Sequence, residues 1–168
     1  MKFKFLKYKT RSYLRNNKTL RYNPAYKKAV SIGVIFSVED RQKHDDIKEF
    51  IKKLEHDGKQ VKVMEFLPAN QENYEFLFDF FNVREISFWG NITSRNAIDF
   101  VDTPFDFLIY LDSSPNALIL NLVAKSKAKC RVGKFWNEAQ PYFEMMIESN
   151  GSTKALIDQV YKYTSALK

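Results

Sequence analysis

A single cysteine, Cys130, stands in 168 residues. It can make no internal disulfide, and no second thiol or histidine lies near enough in sequence to complete a zinc pattern. A reduced, cytoplasmic setting fits this best. Glycine is also scarce, with five in the chain, and neither GxxxxGK[ST] nor GxGxxG occurs. Both common phosphate-cradling loops therefore lack their glycines, which argues against nucleotide hydrolysis. Only two histidines are present, His44 and His56. On one helix, twelve residues at roughly 100° each set them about 120° apart, so they cannot share a metal. Each reads as a solvated helix side chain, and no cofactor is expected. Long apolar runs are missing as well. The best, residues 107–111, is of strand length, and no run of signal-peptide type follows the basic start.

Acids are absent from the first 28 residues, which instead carry Lys2, Lys4, Lys7, Lys9, Arg11, Arg15, Lys18, Arg21, Lys27 and Lys28. The remaining 17 basic residues share the rest of the chain with all 20 acids, so a segment of +10 precedes a body of about −3. The net +7 describes neither part. The expected organisation is a basic N-terminal extension over 1–28, in which Tyr13, Leu14, Leu20 and Tyr22 leave room for a short helix, and one domain over 29–168. With apolar residues at 45% and 15 phenylalanines, that body can bury a sizeable core.

Along the body, Val30 to Val38 is a β-branched, apolar run that reads as a buried strand. Ile47, Phe50, Ile51 and Leu54 recur at helical spacing and stop at Gly58, which predicts a helix over 41–57. Residues 60–67 alternate as a strand. The crowded aromatics from Tyr74 to Phe81 read as core on a short helix, followed by a strand over 85–89 and a helix over 94–101. Residues 107–111 are the clearest strand. Ser114 and Pro115 are placed to cap and open an apolar helix over 117–128. Strands over 129–135 and 143–147 follow, and Leu156, Ile157, Val160 and Tyr161 mark a last helix. Strands alternating with helices imply an α/β three-layer sandwich with a mostly parallel sheet, Rossmann-like or flavodoxin-like.

Such a sheet binds ligands beyond the carboxyl ends of its strands. The loops there offer Trp89 and Asn91, then Asp112, Ser113 and Ser114, then Trp136, as ligand or partner contacts. Asp and Ser before a helix are most often caps, and Cys130, within a strand, reads as a small buried apolar group. No catalytic constellation and no metal cluster emerges, and no reaction is legible.

Residues 105–135, FDFLIYLDSSPNALILNLVAKSKAKCRVGKF, resemble a stretch in the N-terminal domain of heptosyltransferase-type glycosyltransferases, where a strand, a polar turn, a helix and an Arg-Val-Gly strand succeed one another. In that family the nucleotide-sugar site lies largely in a second domain, for which this chain has no room, so the resemblance implies the fold and not glycosyl transfer. The basic start, SIGVIF at 31–36, SFWGN at 87–91 and RVGKF at 131–135 also resemble an uncharacterised family of small proteins from Bacteroidota. That resemblance implies no activity.

The N-terminal segment carries the most specific functional signal. Its cations alternate with Phe3, Phe5, Tyr8, Tyr13, Tyr22 and Tyr26, a mixture suited to neutralising phosphates while rings stack on unpaired bases. The leading expectation is a non-enzymatic RNA- or ribosome-associated protein, anchored by the Lys and Arg residues of 1–28 with Tyr8 and Tyr13, and using the α/β body as a docking module. Two alternatives stand beside it. One is a binder of a phosphorylated or sugar ligand at the strand-end pocket around Asn91, Asp112 and Ser114. The other is attachment to an anionic membrane surface.

Overall fold

The β-branched run forms β1 (Ser31–Ser37), and the alternating segment β2 (Gln60–Leu67) lies parallel to it, joined through α2 (Arg41–His56). Asp40 caps α2 by accepting from the Lys43 amide, which satisfies one of the free N–H groups of its first turn. The computed structural model describes residues 1–168. Its sheet continues with β3 (Asp79–Asn82), β4 (Phe107–Tyr110), β5 (Cys130–Lys134) and β6 (Met145–Ile147), all parallel, in the order β3-β2-β1-β4-β5-β6. β1 is therefore central, and six of its seven residues are buried, as expected of a strand covered on both faces.

Helices fill both faces, giving the expected α/β three-layer sandwich. On one side α2 and α5 (Thr153–Ser165) enclose Phe36, Phe50, Leu54, Ile109 and Val160. On the other, α3 (Arg95–Asp102) and α4 (Ala117–Lys125) enclose Ile35, Phe66, Phe81, Phe100 and Leu122. The chain order reverses between β1 and β4, where such sheets open a crevice.

Four local expectations are corrected. Residues 74–81 form no helix: a loop leads into the four-residue β3, and only Phe81 of the aromatic cluster is fully buried. Residues 85–89 form no strand of the sheet. A short 3-10 turn at Val83–Glu85 precedes a small hairpin closed by the Ile86–Ile92 bridge. The cap of α4 is Asn116, whose side chain accepts from the Leu118 and Ile119 amides, and Ser114 remains exposed before it. His44 is buried, because the loop after β2 folds Tyr74 and Phe78 over it.

The basic segment forms a 15-residue helix, α1 (Lys2–Asn16), packed along the outer side of α4. Leu6 is fully buried in the core shared with α3 and α4, and Thr10 Oγ1 accepts from the Asn121 amide of α4 at 2.9 Å. Residues 17–30 then run as a strap beneath the sheet. Asn17 donates to the Ala124 and Ser126 carbonyls, Arg21 donates to Ser126 and Ala128, and the Tyr22 amide bonds Lys129. Further on, Tyr26 donates its hydroxyl to Asp57, and Lys59 donates to the Tyr26 and Ala29 carbonyls. No helix is long and apolar enough to cross a membrane.

Gly90 fixes how closely α1 approaches. Its φ is +74°, a conformation natural to glycine, and a Cβ there would collide with the backbone of Phe5 and Leu6. Gly90→Ala adds left-handed strain to overpacking and is expected to cost about 2–4 kcal/mol. Because the clash falls on α1, tryptic cleavage within residues 2–15 should accelerate before the body melts. Unchanged cleavage and melting would show that α1 does not rest on this contact.

Candidate nucleic-acid interface

Seating Leu6 and Thr10 inward turns one stripe of α1 outward. Lys4, Lys7, Tyr8, Arg11 and Arg15 are all exposed, and positions 4, 8, 11 and 15 align on one side of a helix of 3.6 residues per turn. Between this stripe and residues 141–142 runs a groove. Its first part, about 410 Å³, is lined by Phe3, Leu6, Lys7, Thr10, Arg11, Ala117, Leu120 and Tyr142. Its second, about 520 Å³, is lined by Tyr8, Arg11, Leu14, Arg15 and Pro141. Arg11 borders both, so the two adjoin along α1. Three cations and three rings face the groove, and no carboxylate does. Arg11 acts on Tyr142, although burial dominates and pushes that phenol above its ordinary pKa.

The ten basic residues of 1–28 thus divide by task. Lys4, Lys7, Arg11 and Arg15 are free on α1. Lys2 and Lys9 brace it, Lys2 reaching the Val83 carbonyl and Lys9 donating to Asn91 Oδ1 at 2.6 Å. Arg21 is a structural pin, its pKa lowered to about 10 by burial and by Arg131. Lys18, Lys27 and Lys28 are exposed on the strap, the last two near the C-terminal residues and away from the groove. Tyr8 is 67% exposed, whereas Tyr13 is half-buried under Lys125.

The crevice between β1 and β4 is filled by its own side chains. Asp112 accepts from the Ser37 amide and hydroxyl at 2.8 and 2.7 Å and from Lys43 Nζ at 2.7 Å, with Lys43 also donating to Glu39. Asp112 and Lys43 are only 4% and 3% exposed. The space left, about 70 Å³ beside Tyr110, Lys134 and Trp136, holds a water or two and not a metabolite, since ligand pockets run from roughly 300 Å³ upward. Trp136 packs against Tyr142 and Phe143, Asn91 is engaged by Lys9, and Ser113 and Ser114 are exposed. Of the expected strand-end residues, Asp112, Ser113 and Trp136 thus border this one small space, whereas Trp89, Asn91 and Ser114 do not. Cys130 is buried and its thiol is pushed up to about 12 by desolvation, too high for a nucleophile.

Two features escaped sequence reasoning. One is Tyr142, which the fold brings across from the loop after β5 to face α1. The other is the buried side chain of Glu65 on β2, whose oxygens have no hydrogen-bond partner and which lies 3.9 Å from His44 Nδ1. His44 Nε2 in turn meets Glu75 at 3.0 Å, where Lys48 also binds; these contacts hold the Glu75 carboxyl down at about 2.

The model of a family of unknown function (DUF6913) matches residues 2–167, so α1 and the strap lie within the matched stretch. No curated protein matches the sequence.

Proposed function

The chain belongs to DUF6913, a family of unknown function, and on that premise we propose that it is a non-enzymatic RNA-binding protein, associated with ribonucleoprotein particles such as the ribosome. The basic, aromatic groove along α1 is its docking surface. The observation that carries this reading is the set of groove walls: Lys7, Arg11 and Arg15 beside Phe3, Tyr8 and Tyr142, with no acid among them. Cations so placed release counterions from phosphates, and adjacent rings offer faces to bases. An arm threading freely along RNA is not needed, since α1 is seated on the body and presents its charges at fixed spacing. The self-filled crevice at Asp112 argues against the small-ligand alternative.

The four free cations of α1 set the expected salt response. If Lys4, Lys7, Arg11 and Arg15 each meet a phosphate, log affinity should fall against log salt with a slope of about −3 to −4. Changing Lys7, Arg11 and Arg15 together to Gln should weaken binding and flatten the slope by about 2 to 3. Fluorescence anisotropy of a labelled RNA across a salt series measures both, and co-sedimentation with ribosomal particles from lysate tests the class of target. A flat salt response, or a triple variant that binds like wild type, rejects the reading.

A further inference from the structure

The hairpin on the other flank of α1 is built to hold two large rings in water. Ser87 to Gly90 forms a tight turn, closed by Gly90 N–H to Ser87 O at 3.0 Å, and its two central residues are Phe88 and Trp89. Turn tips ordinarily carry Gly, Pro, Asn, Asp or Ser. Here the tip rings are 57% and 61% exposed, leaving apolar surface in water.

The turn is also rigid. Ser87 N–H bonds Asn91 O at 2.8 Å, Asn91 N–H bonds Ser87 Oγ, and Thr93 N–H bonds Glu85 O. Below it, Asn82 and Glu85 form a reciprocal capping box. From α1, Lys9 grips Asn91 and the helix backbone lies against Gly90. Phe5 backs Trp89 at 5.3 Å between centroids, and Phe88 meets Trp89 edge-on at 5.2 Å. The rings are therefore held in place before any partner arrives, which lowers the ordering cost of binding.

Charge selects the partner. Lys2 reaches Val83 beside the turn, Lys4 stands on the neighbouring turn of α1, and Arg84 precedes the hairpin in sequence, whereas Arg95 beyond it pairs with Asp99 at 3.3 Å. No acid occurs from residue 86 to residue 98 or in residues 1–28. An exposed aromatic tip set beside the basic, acid-free α1 matches a polyanion that has flat apolar groups to offer.

We infer that the Phe88–Trp89 turn is a stacking platform for unpaired bases, so that the protein selects single-stranded RNA over duplex. This rests on the RNA reading of α1 and adds the class of RNA. A strand would lie in the groove by its phosphates, cross the Lys4 and Tyr8 ridge, and place bases on the turn at the opposite flank. Duplex RNA keeps its bases stacked inside and has none to give.

The test uses the full chain carrying Trp136→Phe, which leaves Trp89 as the only tryptophan. An unlabelled single-stranded 15-mer should quench its emission, and the same sequence annealed to its complement should not. By anisotropy, Trp89→Ala and Phe88→Ala should each weaken single-strand binding by roughly ten-fold while leaving duplex binding unaltered, because a stacked base contributes that much and phosphate contacts are untouched. Circular dichroism checks that the variants fold. RNA that binds with the proper salt slope but without quenching, or with no loss in either variant, overturns the platform and leaves the α1 reading standing. Failure of wild type to bind any RNA overturns both. Quenching or a blue shift with anionic vesicles and not with RNA assigns the turn to a lipid surface and rejects the inference.

Discussion

Asp112→Asn should destabilise the protein by about 3 kcal/mol without touching RNA binding, because the Asp112 carboxylate is a structural group. The substitution keeps an acceptor for Ser37 N–H, but Lys43 loses its buried counter-ion and retains only Glu39, which is about half exposed. Breaking one side of a buried pair costs roughly 3–5 kcal/mol, since the surviving charge stays desolvated. Adding Lys43→Met removes that charge too and should recover most of the loss. Urea unfolding of wild type, both single variants and the double variant gives the coupling energy directly. Additive effects would reject the pair as a structural unit. Should Asp112→Asn instead be as stable as wild type and lose only ligand-induced stabilisation by a phosphorylated or sugar compound, the crevice is a binding site after all.

That result bears on how this fold relates to function. The strand order puts a crevice between β1 and β4, where sheets of this kind commonly hold ligands. Here Ser37, Lys43, Asp112 and Asn116 cross-link the two strand ends and leave about 70 Å³ beside them. The surface with unmatched charge and exposed rings lies on α1 and the 87–91 turn instead, outside the sandwich proper.

Most of the sandwich was legible in sequence because its central strands are runs rich in β-branched and aromatic residues and free of charge, such as Ile32 to Phe36 and Phe107 to Tyr110. Their connecting helices carry clean apolar stripes, as Ile47, Phe50 and Leu54 do. The edge was not legible. β3 is four residues long, with one fully buried side chain, Phe81, so neither length nor alternation marks it. α1 was hidden by its own composition. Lys2-Phe3-Lys4-Phe5 alternates like a strand, the first turn has no acid, and the Met1 cap position contributes no side-chain bond. The signal for it lay elsewhere, in α4. Leu118, Ile119, Leu120, Leu122 and Val123 are apolar around the whole helix, and a helix apolar all round must be covered on its outer side as well as against the sheet. Asn121 among them needed a polar partner, which Thr10 supplies.

Legibility of the candidate site followed the same division. The charges of 1–28 announced a polyanion surface, but which of them are free depended on tertiary contacts. Arg21 could be told from Arg15 only once its donors were seen bonded to the carbonyls that follow α4. Phe88 and Trp89 stood in sequence as part of a strand, and the hairpin that exposes them is set by Gly90 and by its contact with α1.

Stability should fall as pH rises from about 4.5 to about 7, and Glu65 is the cause. Its side chain is 1% exposed on β2, neither oxygen has a hydrogen-bond partner, and the nearest charged or titratable neighbour is His44 Nδ1 at 3.9 Å, beyond bonding distance. From α2, Lys48 and Arg41 are directed at Glu75 and not at Glu65. Burial therefore raises the Glu65 carboxyl from 4.5 to about 7. The sign follows from proton binding. Between those two values the folded chain holds the proton and the unfolded chain does not, so each increment of pH favours unfolding. The penalty is absent below about pH 4.5, grows through the window and is complete above pH 7. The gap corresponds to about 3 kcal/mol. Glu65→Met keeps the volume and has nothing to ionise. Subtracting its pH profile of unfolding free energy from that of wild type should leave a curve of this height confined to pH 4.5–7, and parallel profiles would show that the carboxylate finds water or a partner when it ionises. The segment best placed to admit that water is the loop over residues 70–78. Asn70, Glu75 and Phe76 hold positive φ there, and Asn73 is buried with both amide atoms unpaired. Hydrogen exchange in that loop that quickens above pH 7 in wild type, and stays constant in Glu65→Met, would locate the opening there.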